Sequence, residues 1–152
     1  MKTPAELTEA FRAKGLKVTP QRQCIFRILH GNADHPTAES VYAQAAAEMP
    51  TISLRTVYQT LNDLAAMGEL AQLDLGTGSA RFDPTLDQHH HLVCTQCGTV
   101  ADLHADFPDV VVPRAAAQGF DVDATEIVFR GRCRSCAGRA EPAPRPRVPR
   151  DH

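Results

Sequence analysis

Residues 52–83, ISLRTVYQTLNDLAAMGELAQLDLGTGSARFD, change their hydrophobic period once, and that change decides the fold. In the first part Leu54, Val57, Leu61 and Leu64 recur at steps of three, four and three, the spacing of one face of an α-helix. Ser53 occupies the N-cap position, where its hydroxyl accepts from an otherwise unpaired backbone N–H, and Gly68 stops the helix. Beyond Gly68 the period falls to two. Leu73 and Leu75 share one side, Gly76-Thr77-Gly78 makes a turn, and a return strand runs through Ala80 and Phe82. Helices followed by a glycine-tipped hairpin describe a winged helix-turn-helix, whose last helix enters the major groove of DNA. The face opposite the apolar stripe carries Arg55, Tyr58, Gln59 and Asn62, side chains suited to base edges and phosphates. A solvated polar helix face is the competing reading, and the hairpin that follows favours DNA.

Upstream, three shorter helices are expected. Leu7, Ala10, Phe11 and Lys14 keep helical spacing up to Gly15. Thr19-Pro20 supplies a cap and a proline at the first helical position, opening a second helix that buries Ile25, Phe26 and Leu29 and ends at Gly31. Cys24 sits on its apolar side and reads as a buried structural thiol. A third helix begins at Pro36-Thr37, faces inward with Val41, Tyr42 and Ala45, and closes near Met49-Pro50. Arg12, Lys14, Lys17, Arg22 and Arg27 fall in a stretch without an acidic residue, a local basic surface. Within it Lys17 and Arg22 join the candidate DNA contacts.

Downstream, residues 83–88 read as a hinge, and from His91 the chain turns to strands in HLVC, TVADLH and EIVFRGRC, with a helix over about 107–118 between them. The fold class is therefore α+β: a winged-helix domain over 1–82, a hinge, and a small α/β domain over 89–136. Residues 137–152, rich in Pro and Arg and without an apolar period, read as a disordered tail. The net charge of −2 hides an asymmetry, since residues 83–138 hold four Lys/Arg against eight Asp/Glu while residues 1–82 are balanced. No apolar run approaches the roughly 20 residues that span a bilayer, and MKTPAELTEA has no apolar signal core. A cytoplasmic protein without membrane partners is expected.

Four of the five cysteines form two clips, Cys94-x-x-Cys97 and Cys133-x-x-Cys136. Four thiolates in two turns suit one tetrahedral Zn²⁺ with no position left open, a structural site that braces a module too small to be stable unaided. A redox dithiol pair is the alternative reading. A second cluster is His89-His90-His91, with Asp83 upstream, Asp102 downstream and His35 in the helical half. On a strand His89 and His91 face one side and His90 the other. Three imidazoles with two carboxylates suit Fe²⁺ or Mn²⁺ better than a thiolate set does, although Zn²⁺ and Ni²⁺ also accept imidazole. An ion held by His35, Asp83, His89, His91 and Asp102 would bridge the two halves and couple occupancy to their geometry. A hydrolase using the same cluster lacks an evident general base or substrate pocket, so no enzyme is expected.

Taken together, LKVTPQRQCIFRIL, HPTAESVY, ISLRTVYQTLNDLAAMGEL, SARFD, HHHLVCTQCG and CRSC resemble the ferric uptake regulator family, in order and in spacing, over about residues 5–136. The resemblance implies a homodimeric repressor that binds palindromic operator DNA when its regulatory site is metal-loaded. It implies structural Zn²⁺ on Cys94, Cys97, Cys133 and Cys136, and regulatory Fe²⁺ or Mn²⁺ on His35, Asp83, His89, His91 and Asp102. Aspartates rather than glutamates at 83 and 102 are similar to the peroxide-sensing branch, where iron-catalysed oxidation of a ligand histidine releases metal and DNA. His35 and His89 are then the oxidation-sensitive residues. A sensor of iron or zinc availability without peroxide chemistry is the alternative within the same family. Where family members with a further metal site carry a histidine, this chain reads DVDATEIVF, so that ligand is missing.

Overall fold

A computed structural model describes residues 1–138. Four helices come first: α1 (Pro4–Ala13), α2 (Pro20–Leu29), α3 (Ala38–Glu48) and α4 (Leu54–Ala66). Each begins on a hydroxyl N-cap, Thr3, Thr19, Thr37 and Ser53, whose side-chain oxygen accepts from the backbone N–H three residues on. Thr3 and Glu6 complete a capping box. Gly68, just past α4, takes φ +73°, the left-handed conformation that a helix-terminating residue needs and a side chain resists.

The helices pack around Leu7, Phe11, Ile25, Phe26, Leu29, Val41, Val57, Leu61 and Leu64, all fully buried, with Phe11 and Phe26 edge-to-face at 4.9 Å. The inner stripe of α4 differs from the expected one at two positions. Leu54, the first residue of the helix, is 37% exposed, and Thr60 is buried in the stripe, its hydroxyl satisfied by donating to the Thr56 carbonyl at 2.8 Å.

The hairpin follows as β1 (Ala71–Leu73) and β2 (Arg81–Asp83), antiparallel with Leu73 opposite Arg81. Its strands are shorter than the alternation suggests. Leu75 lies beyond β1, buried with Val93 and Val100 in a second small core, so this hairpin residue reaches across to the following module. That module is a three-stranded sheet of β3 (His90–Cys94), β4 (Val100–Leu103) and β5 (Val128–Gly131) in the order β4-β3-β5. β3 pairs antiparallel with β4, His91 opposite Asp102, and parallel with β5, His91 opposite Val128. A helix α5 (Arg134–Ala137) carries Cys136.

Parallel neighbours need a long crossover, commonly a helix, and the sequence suggests one over 107–118. The structure has only a single 3-10 turn at Arg114–Ala116. The reason is local: Pro113 lacks an amide hydrogen and clashes with the preceding turn, and Val110-Val111-Val112 is a β-branched run. The expected disordered tail lies outside the described residues, apart from Ala137 and Gly138 at the end of α5.

Candidate metal centres

The first centre is built at the two ends of the sheet module. Cys94 ends β3, Cys97 stands in the turn that leads to β4, Cys133 caps α5 and Cys136 lies within it. The four sulfurs lie within 4.8 Å of one another, and Cys97 Sγ is 3.8 Å from Cys133 Sγ. A zinc–thiolate bond of about 2.3 Å gives a tetrahedron with edges of about 3.8 Å, so the spacing fits. The local charge environment fits as well. The Cys133 N–H donates to Cys94 Sγ at 3.3 Å and, with the Cys97 N–H, brings the Cys94 thiol down to about 6. Thr99, whose hydroxyl is 3.0 Å from Cys97 Sγ, lowers that thiol too. Cys136, crowded by Cys133 and burial, is pushed up to about 12. Three sulfurs resist a fourth thiolate among them, and a divalent cation at the centre reverses that order.

The second centre gathers residues from distant parts of the chain. His35 precedes α3, Asp83 ends β2, His89 and His91 flank the buried His90 at the start of β3, and Asp102 lies on β4. One ligand atom from each of the five converges within 4.8 Å of the others. His35 Nε2 is 2.7 Å from Asp102 Oδ1 and 3.2 Å from Asp83 Oδ2; His89 Nε2 is 2.9 Å from Asp83 Oδ2 and 3.1 Å from Asp102 Oδ1. His91 Nε2 is 3.3 Å from Asp83 Oδ2. Divalent metals bind imidazole nitrogen and carboxylate oxygen at about 2.0–2.2 Å, which sets adjacent ligands about 3 Å apart. His90 turns the other way, its Nδ1 accepting from the Ile127 N–H at 3.1 Å and its ring against Phe107.

Tautomers decide what this cluster can hold. His89 Nδ1 lies 2.6 Å from the Asp87 carbonyl and His91 Nδ1 lies 2.9 Å from Glu126 Oε1. Both partners only accept, so each Nδ1 carries the proton and each Nε2 presents a lone pair. Those two Nε2 atoms face one another at 3.1 Å, and buried His35 Nε2 and Asp102 Oδ1 approach to 2.7 Å without hydrogen-bond geometry. Buried lone pairs aimed at one point are unfavourable unless a cation lies among them. Without an ion, protons substitute in part. Burial opposes charge on His35 and His89, yet hydrogen bonds and the nearby carboxylates outweigh it and raise both rings above the ordinary histidine value. Asp83 is likewise opposed by burial and held below the ordinary carboxylate range by His35 and the Thr85 N–H.

Glu126 and the Asp87 carbonyl were no part of the sequence-derived ligand set. Glu126 sits in the DVDATEIVF stretch, and only the parallel β3–β5 register carries it to His91. No local signal in that stretch marks it.

On α4, Arg55, Gln59 and Asn62 are exposed, and Lys17 is exposed in the loop between α1 and α2. Tyr58 is 40% exposed and its hydroxyl donates to Glu39 Oε1 on α3 at 2.7 Å. Arg22 is a correction to the candidate DNA contacts. Its side chain is largely buried, paired with Asp63 at 3.0 Å and stacked over Phe11 at 5.3 Å, so it ties α2 to α4 rather than facing solvent.

Residues 13–130 match the model of the ferric uptake regulator family. The chain is 34% identical over 134 residues to the peroxide-responsive repressor PerR of Staphylococcus epidermidis, an alignment covering 86% of this chain and 88% of that one. Among solved structures it resembles a zinc-bound manganese uptake regulator, with a TM-score of 0.67 and 28% identity, covering 87% of this chain and 99% of the other. It also resembles PerR from Streptococcus pyogenes, solved for its peroxide sensing and gene regulation, at TM-score 0.52 and 26% identity over 90% and 94% of the two chains. With a family match across most of its length and relatives that share both its α+β layout and its sequence, this chain belongs to the ferric uptake regulator family.

Proposed function

We propose that this protein is a metal-dependent transcriptional repressor whose hold on operator DNA is released by peroxide. The observation that carries the proposal is the five-residue cluster itself. His35 comes from the helical half, Asp83 from its edge, and His89, His91 and Asp102 from the sheet module. An ion there draws the two halves into one fixed angle, so occupancy and DNA-competent geometry are linked. Fe²⁺ and Mn²⁺ suit three imidazoles and two carboxylates, whereas the four sulfurs suit a closed structural Zn²⁺.

The chain's own part in the peroxide response is to hold ligands in place and then to lose one. His35, Asp83, His89, His91 and Asp102 would hold Fe²⁺, which when bound would supply the electrons that reduce hydrogen peroxide. His35 and His89 are the rings that would be oxidised, and an oxidised ring is a poorer donor. The helical half is then freed from the sheet module. The likeness to a peroxide-responsive repressor at 34% identity supports this reading.

DNA binding falls to Arg55, Tyr58, Gln59 and Asn62 on α4, with Lys17 on the phosphates. Leu92 and Phe129, paired across β3 and β5, are 43% and 39% exposed and form an apolar sheet face suited to a second copy. A homodimer presents two α4 helices to a palindromic operator about 34 Å apart. In this reading the protein is a cytoplasmic regulator and not an enzyme. Among the described residues no helix is long and apolar enough to cross a membrane.

The likeness to a manganese uptake regulator favours a second reading, a sensor of metal availability alone. Anaerobic loading with Fe²⁺, a brief peroxide pulse and peptide mass spectrometry separate the two, with Mn²⁺ as control. Peroxide sensing adds one oxygen to the peptides containing His35 or His89 with iron only. Unmodified histidines at confirmed iron occupancy would leave metal availability as the signal.

A further inference from the structure

Arg81 lies on β2, two residues before Asp83, and its guanidinium joins three separate pieces of chain. Nε donates to Thr77 Oγ1 at 3.3 Å in the hairpin loop, Nη1 to the His35 carbonyl at 3.2 Å, and Nη2 to the Gly98 carbonyl at 2.8 Å. Two of these acceptors belong to the metal centres. Gly98 is the residue after Cys97, at φ +76°, and its N–H closes the sulfur-bearing turn by donating to the Cys94 carbonyl at 2.9 Å. His35 holds φ +50°, a left-handed conformation that a residue with a side chain adopts only when its surroundings enforce it. The enforcing contacts come from β2: Arg81 on the His35 carbonyl, and the Phe82 N–H donating to the Pro36 carbonyl at 2.9 Å.

We propose that Arg81 is a positioning residue that couples the two metal centres, locking the His35 backbone against the turn that carries Cys97. The proposal rests on the reading that the His/Asp cluster is a regulatory metal site. His35 is the sole ligand drawn from before the hairpin, so its placement governs closure of the two halves. Because one planar fork grips both the His35 carbonyl and the sulfur-bearing turn, order at either end favours order at the other, and that coupling is reciprocal. A lysine at 81 offers one compact ammonium and cannot hold three divergent acceptors together.

The test uses the full chain as Arg81→Ala and Arg81→Lys, each checked for zinc content and helical circular dichroism. Mn²⁺ affinity is read from the electron paramagnetic resonance signal of free Mn²⁺. Zinc release to a chromophoric chelator is timed with and without Mn²⁺, a readout that a merely structural arginine does not move. In the unaltered protein Mn²⁺ slows zinc release. Zinc-loaded Arg81→Ala binds Mn²⁺ roughly tenfold or more weakly, the low end of what supporting contacts around metal ligands contribute. Its zinc release no longer depends on Mn²⁺, and Arg81→Lys falls between. Mn²⁺ affinity within about twofold of the unaltered protein, or a full Mn²⁺ effect on zinc release, overturns the proposal. Should Arg81→Ala lose zinc or helicity, Arg81→Lys decides by the same two criteria. An unaltered protein that takes up no Mn²⁺ sinks the functional reading itself, and this inference with it.

Discussion

Helices α1 to α4 close around fifteen buried apolar side chains, from Leu7 to Phe82, whereas the sheet module closes around three, Leu75, Val93 and Val100, and Leu75 is contributed by the hairpin. At about 1.5–3 kcal/mol for each large apolar side chain removed from water, the helical half can fold on its own core and the sheet module cannot. The chain after Leu103, over 104–137, reinforces the contrast, since it contains only β5 and short helical turns, with Val111 and Phe120 well exposed. The module therefore depends on its four sulfurs as the helical half depends on its leucines. The residues of the second cluster come from both halves.

Cys136→Ser should produce the largest effect. It removes a buried thiolate from the sulfur tetrahedron, and structural zinc sites are worth roughly 10–16 kcal/mol in small domains. Hydrogen exchange should show β3, β4 and β5 losing protection while α1 to α4 retain it. Uniform loss across both halves would erase the contrast. In the helical half, Leu61→Ala deletes a fully buried side chain and should cost about 2–5 kcal/mol in urea unfolding, with no rescue by added zinc.

At the joint between the halves the expected effects are smaller. Glu126→Leu deprives His91 Nδ1 of its acceptor and should weaken Mn²⁺ binding on the order of 10–100-fold, while Glu126→Gln, whose side-chain oxygen still accepts, should do less harm. Equal losses in the two variants would mean that Glu126 does not set the His91 tautomer. Smallest of all, Thr19→Ala removes the hydroxyl that accepts from the Arg22 N–H and should lower helical-half stability by about 1 kcal/mol, visible as a shift in the urea midpoint.

What could be read from the sequence followed the range of the forces involved. Caps at Thr19 and Ser53 and the apolar period of α2 to α4 act within one or two turns, so each is written where it operates. The two Cys-x-x-Cys clips are legible for the same reason. The helix expected over 107–118 does not form because Pro113 and three consecutive valines, which act just as locally, oppose it. Arg22 looked like a free cation because its partner Asp63 is forty-one positions away, on α4.

By itself, then, the sequence determined the four helices of the first half and where they begin, which face of α4 turns inward, and that four thiols stand in two clips. Tertiary structure alone decided that Glu126 and Asp87 orient two of the rings, that Leu75 leaves the hairpin for the sheet, and that Arg81 reaches both metal centres. The physical reason is distance along the chain. Periodicity and capping are short-range and leave a local signature, whereas these contacts exist only after β3 has taken its antiparallel and parallel neighbours and the hairpin has packed against the sheet.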